Sequence, residues 1–283
     1  MPGELTAARA AKRSMEVTAN DIGSKVAALY RQIVGTQPSP DSISSFVSAA
    51  LPVVRRGHSS AVSLAKSYHR QARRAAGVKG AAKIPKGPEF NPEQAESSLR
   101  FVGFVEPARR DSAVLDLPFF NSEPETTYDA VDAAAARRVV QSGMDMARAA
   151  AEADKKAIGW ARVTQGADAC YFCSMLESRG MVYSSDSFEF VDERFQENRL
   201  PPTVLSGELT AKTHDHCRCV LVPIFSRTSD VQKNADSIYS TWKTIQRDYA
   251  WLRREAGVNM IQIWRWYWEG SLASVAQKWA GVG

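Results

Sequence analysis

The sequence predicts a mainly α protein carrying one small α+β module, with long helices at the N-terminus, in the centre and at the C-terminus. Three observations lead there. Residues 128–161 are alanine-rich and free of proline, interrupted only by Gly143 and Gly159. Residues 163–225 break up into short apolar runs and loops. All four cysteines of the chain, and two of its four histidines, fall within that broken stretch.

Taken in order, the N-terminal third reads as helix. Ile22, Val26, Leu29 and Ile33 recur at helical spacing behind Asn20 and Asp21, both capping residue types. The stretch GTQPSPDS at 35–42 ends that helix, and Asp41 or Ser42 is placed to cap the next. A third helix is expected over about 59–76, closed by Gly77. Residues 77–94, GVKGAAKIPKGPEFNPEQ, combine Gly, Pro and Lys with almost no apolar periodicity, the composition of a linker or surface arm.

Four units follow: a basic helical domain with its arm (1–94), an irregular segment and long helix (95–162), a Cys/His module (163–227) and a tryptophan-rich helical tail (228–283). The central helix is expected to deliver Trp160 to the module. Within the module, MVYSS (181–185) and CVLVPIF (219–225) are the expected strands and RLPPTVLSGELTAKT (199–213) a loop. Six of the seven tryptophans lie in the last 42 residues, several of them in IQIWRWYWEG. Three uses fit such a segment: a core-packing helix, a docking surface on another subunit, or a lipid interface.

With 283 residues, 44% of them hydrophobic, the chain can bury a sizeable core. There is no run of 18 apolar residues, and the N-terminus alternates charge with alanine in place of an apolar h-region. The expectation is a protein with neither membrane span nor secretory signal, folding in the cytosol that makes it. Its net charge of +5 is unevenly placed, with 14 Lys and Arg against 6 Asp and Glu in residues 1–94. Between Ser42 and Pro88 there is no acidic residue but nine basic ones, from Arg55 to Lys86. Lys66, Arg70, Arg73 and Arg74 recur at the spacing of one helix face, a stripe suited to phosphates or an acidic protein surface, or simply a solvated face.

The cysteines form a pattern. Cys170 and Cys173 stand as C-x₂-C, and HDHCRC follows, offering His214, Cys217 and Cys219, with 43 residues between Cys173 and Cys217. Two cysteines two residues apart reach one metal from a tight turn, and a tetrahedral zinc takes four such ligands. If CRCVLV is a strand, Cys217 and Cys219 point to one side and chelate together. The leading reading is a structural zinc site of Cys170 and Cys173 with two of His214, Cys217 and Cys219, which makes the module zinc-knuckle-like. Disulfides and reduced structural thiols are the alternatives. A catalytic metal would need an open position and a base, for which Asp215, His216 and Glu177 are the candidates.

GWARVTQGADACYFCSMLESRGMVYSS followed by HDHCRCVLVPIF resembles the signature of the Mu F-like minor head proteins of tailed bacteriophages. It is equally similar to actinobacteriophage proteins often labelled capsid maturation proteases. The matching positions are Trp160, Cys170, Cys173, Gly180, His214, Cys217, Arg218, Cys219 and Pro223, and the likeness covers roughly residues 128–225. The resemblance implies a minor component of the phage head, lying inside the capsid at the portal vertex of the virion, in contact with portal protein or major capsid protein. Packaged DNA is a further candidate partner through the basic 55–86 region. The alternative is a peptidase of head maturation. For that chemistry GHSSAV sets His58 beside Ser59 and Ser60, but neighbours on a helix do not face each other, and there is no G-x-S-x-G.

Overall fold

A computed structural model of the chain describes residues 3–35, 38–105, 127–164, 171–181 and 219–280. Helices α1 (Glu4–Ile33), α2 (Pro40–Ala75), α3 (Pro92–Arg100), α4 (Thr127–Ala153), α5 (Tyr171–Glu177), α6 (Asp230–Asp248), α7 (Ala250–Glu255), α8 (Met260–Trp268) and α9 (Leu272–Ala280) account for most of it. A π-turn, Phe101–Val105, extends α3. Strands β1 (Gly159–Thr164) and β2 (Cys219–Ile224) form one antiparallel pair. The mainly α reading with a small strand element holds.

Helices α1, α2 and α4 pack on one another as a three-helix bundle. Ile22, Val26, Tyr30, Phe46, Val54 and Val139 are buried at their interface, and Tyr30 and Phe46 meet edge to face at 5.1 Å. The helices approach closely at Gly57, where a Cβ would lie 2.6 Å from Val139 and 2.8 Å from Ile22. Helix α1 begins sixteen residues before the capping candidate Asn20. Its first turn is capped from afar instead: the Asp230 carboxylate accepts from Leu5 N at 3.0 and 3.1 Å, while Asp21 pairs with Lys25 inside the helix. The expected second and third helices are one, α2, running through Pro52. Buried Ala50, Val53 and Val54 hold that turn against the bundle, and packing outweighs the lost hydrogen bond. Its cap is Ser39, in a reciprocal box with Ser42, and it ends at Gly77 with φ of 69°.

Residues 78–90 have no regular secondary structure, as their composition predicts, but they are laid back along the bundle. Arg73 donates to the carbonyls of Lys79 (3.3 Å) and Gly80 (3.1 Å), Lys66 to that of Lys86, and His58 Nε2 to that of Pro88 (3.1 Å). Gly87, at φ 100°, lets the backbone sit against Met146 and Val62. Helix α4 ends at Ala153, and Trp160 belongs to β1. The alanine-rich pattern runs on past the true boundary because Asp154 turns the chain: its carboxylate accepts from Lys156 N at 3.1 Å.

Candidate metal centre

β1 pairs with β2 from Gly159 opposite Ile224 to Thr164 opposite Cys219. Every residue of β1 is buried. Ala161, Val163, Val222 and Ile224 pack against Ala7 and Ala8 of α1 and Tyr68 and Ala72 of α2. Trp160 and Leu221 pack against Ala147, Ala150 and Ala151 of α4, and Cys173 joins that cluster. A two-stranded pair is marginal alone, and this one persists because helices cover both faces.

Of the five predicted ligands, Cys170, His214 and Cys217 lie outside the described residues, as do Asp215, His216 and the expected strand beyond Met181. Cys219 opens β2 opposite Thr164, two residues before Leu221. Cys173 lies on α5, fully buried, in the cluster that holds Leu221 and Trp160. The register sets Thr164, the last residue of β1, opposite Cys219, the first of β2, and α5 meets that end through Glu177, which bonds Thr164. Cys173 is a buried thiol packed with Trp160 and Leu221, and a thiol is a ligand type that zinc takes. Among the described residues no three His, Cys, Asp or Glu side chains converge on one point.

Glu177, a candidate base in the sequence, serves as a clasp. It is buried, and its Oε2 accepts from Thr164 N at 3.0 Å and from the Thr164 hydroxyl, while Oε1 accepts from Asn234 Nδ2 at 2.8 Å. One carboxyl group thus ties the end of β1, the end of α5 and helix α6. Gly180 makes the turn after α5 at φ 59°, and a Cβ there would lie 2.6 Å from Gln232, whose Oε1 accepts from Met181 N at 2.9 Å.

The tryptophan-rich tail meets the other side of α5. Trp264 is fully buried, and its indole N–H reaches Tyr171 O (3.0 Å) and Ser174 Oγ (3.1 Å). Trp242, Tyr267 and Trp268 ring it at 5.1 to 5.6 Å. Of the three uses open to this segment, core packing is realised for Trp264, while Ile261, Tyr267 and Trp279 remain exposed.

A second polar knot joins the bundle to β2. His69 Nε2 donates to Asp154 Oδ2 at 2.9 Å, Arg73 pairs with the same carboxylate, and the His69 imidazole and the Arg73 guanidinium both lie near the ring of Phe225, at 5.9 and 5.8 Å. Burial pushes the His69 pKa down, against the pull of Asp154, so the ring is neutral with its proton on Nε2. Burial alone would raise Asp154, but hydrogen bonds from Arg73, His69 and the Lys156 amide outweigh it and hold the carboxyl below its usual range. Arg73 is thereby removed from the basic stripe, whereas Arg70 and Arg74 are exposed. His58 turns away from Ser59 and Ser60: its Nδ1 meets Ser142 Oγ on α4 at 2.9 Å, and Ser59 donates to Arg55 O.

Sequence reading missed the knot because Asp154 lies 85 residues from His69, with nothing local to pair them. It missed the role of Trp264 because the six indoles of the tail look alike until one of them is buried.

The sequence profile that matches the chain is described as VG15 protein, and the match takes in residues 4–245, from α1 through nearly all of α6. The chain belongs to the VG15 family. Over 197 residues this VG15 protein is 27% identical to the Gene 15 protein of Mycobacterium phage D29, an alignment covering 62% of this chain. The chain spans 64% of that relative's length. These likenesses place it in a bacteriophage protein family. No solved structure matches. Among the described residues no helix is long and apolar enough to cross a membrane.

Proposed function

We propose that this VG15 protein is a minor head protein of a tailed phage, carried in the virion, whose Cys/His module is stapled by a structural zinc ion. The observation that carries the reading is the β1–β2 register, which sets Cys219 opposite the end of β1 while Cys173 lies buried beside Leu221. Cys170 and Cys173, with two of His214, Cys217 and Cys219, would hold the metal; bound there it supplies a cross-link between the two halves of the module. Family membership supports a phage protein, and the resemblance of the Cys/His pattern to Mu F-like proteins supports the head, the capsid interior and the portal vertex, with portal or major capsid protein as partner. The function is binding, in several copies within an assembly.

Two measurements test this. Metal analysis of the purified chain is expected to give one zinc per molecule, and chelator to unfold the 165–225 module while the bundle's melting transition stays in place. A metal-free chain that melts identically with and without chelator sinks the zinc reading. Mass spectrometry of mature virions is expected to find the chain co-purifying with the portal ring; its disappearance after assembly would overturn the head-protein reading.

A further inference from the structure

The basic region is a sequence feature until its geometry is followed. Arg56, Ser59, Ser63, Lys66, Arg70 and Arg74 succeed each other on α2 at steps of three and four residues, so they share one helix face. All except half-buried Lys66 are exposed. From Arg56 to Arg74 this face is about 27 Å long at 1.5 Å per residue. Arg73, which the linear pattern includes, is turned inward onto Asp154 and contributes nothing.

The arm then doubles the face. Lys79 and Gly80 meet α2 at Arg73, Lys86 meets it at Lys66 and Pro88 meets it at His58, so the arm runs antiparallel to α2 at its flank. Lys79, Lys83 and Lys86 are exposed along it. Residues distant in sequence thus form two adjoining cationic rows, with no carboxylate between Ser42 and Pro88 to neutralise them. Among the described residues, Arg56, Arg70, Arg74, Lys79 and Lys83 have no acidic partner; Lys86 reaches the exposed Glu89.

We propose that this two-rowed face binds the phosphate backbone of double-stranded nucleic acid without reading its sequence. Evenly spread cations over some 27 Å match a duplex backbone, which carries one charge per about 1.7 Å of axis. A single-strand binder would need exposed aromatic platforms between the cations, and here Tyr68 is buried and Phe90 lies under Arg55. Hydroxyls Ser59 and Ser63 are turned back to carbonyls of their own helix, leaving no fixed donor to read a base edge. The inference rests on the virion reading only for where the duplex is met.

The test is fluorescence anisotropy of the full chain with a labelled 20-base-pair duplex, the matching single strand, and polyglutamate as competitor, across a salt series. The expected result is duplex binding in preference to both. Its log–log salt slope should fall by about 0.9 for each cation removed in Arg56→Gln, Arg70→Gln and Arg74→Gln on α2, and in Lys79→Gln and Lys83→Gln on the arm. Arg253→Gln with Arg254→Gln, exposed on α7, is expected to leave affinity unchanged. Tighter binding of the single strand, or displacement of the duplex by equal charge of polyglutamate, overturns the proposal in favour of a stacking or an acidic-protein surface. Equal loss in the α7 variant overturns it as mere net charge. A chain present in virions that ignores the duplex sinks this inference and spares the head-protein reading; a duplex-binding chain absent from virions does the reverse.

Discussion

In the bundle, Phe46 and Tyr30 meet edge to face among Ile22, Val26 and Val54, and the three helices need little else. In the strand module, a single carboxyl group of Glu177 spans β1, α5 and α6, an indole N–H anchors the tail, and His69 and Arg73 share one buried aspartate. The first region is held by apolar area, which is non-directional and survives changes of pH and salt. The second adds to its apolar cover a few directed bonds between segments far apart in sequence, each costly to break because its partner is left buried and unmatched. The module depends on the bundle that covers its strands, along with its proposed metal.

The largest expected effect strikes the bundle. Phe46→Ala removes a fully buried ring and is expected to cost about 3–5 kcal/mol, lowering the main melting transition of the whole chain. If that transition stays put while the module alone loosens, the division of labour is reversed. Next comes the clasp: Glu177→Gln puts an NH₂ group in place of one of the two oxygens that now accept from three donors and is expected to cost about 1–3 kcal/mol. Hydrogen exchange should rise in β1, α5 and the start of α6 and stay unchanged in α1 and α2. Uniform loss of protection would show that the module is not a separate unit.

The smallest effect is one of pH. Because the folded pKa of His69 lies below its ordinary value, the unfolded chain takes up a proton near pH 6.5 that the folded chain refuses. That group's stability is fully present above about pH 6.5 and is lost as pH falls toward its folded pKa. Asp154, held below its usual range, contributes at all pH values above the ordinary carboxylate pKa and is lost only as pH falls through its own lower one, so the two windows are separate. Glu4, Asp132, Asp145 and Glu152, all raised mainly by burial, change the opposite way, so the difference between chains is the useful quantity. Thermal melts at pH 7.5 and 5.5 are expected to show a smaller acid-induced loss for His69→Gln than for the unaltered chain. An identical loss in both would remove His69 from the account.

Much of the bundle was legible beforehand. The periodicity around Ile22–Ile33, the stop at Gly77 and the alanine-rich helix after Tyr128 are local signals and all stand. Where reading failed, a distant partner had overridden local preference. Asn20 and Asp21 look like caps, yet α1 starts at Glu4 because Asp230 supplies the cap from 225 residues away. Pro52 looks like a break, yet packing carries α2 through it. Gly159, Trp160 and Ala161 read as the end of a helix and pair as a strand because β2 is there to receive them.

The sequence by itself determined the helical class, the concentration of positive charge before residue 89, and the gathering of every cysteine into one module, because composition and short-range periodicity need no partner. Only the tertiary structure decided which of those features do what. It turned Arg73 inward and left Arg70 and Arg74 outside, folded the arm back to double the cationic face, made Glu177 a clasp, and chose Trp264 among seven tryptophans as the anchor of the tail. Each of those outcomes depends on a group brought from another part of the chain, and burial, not residue type, sets its role.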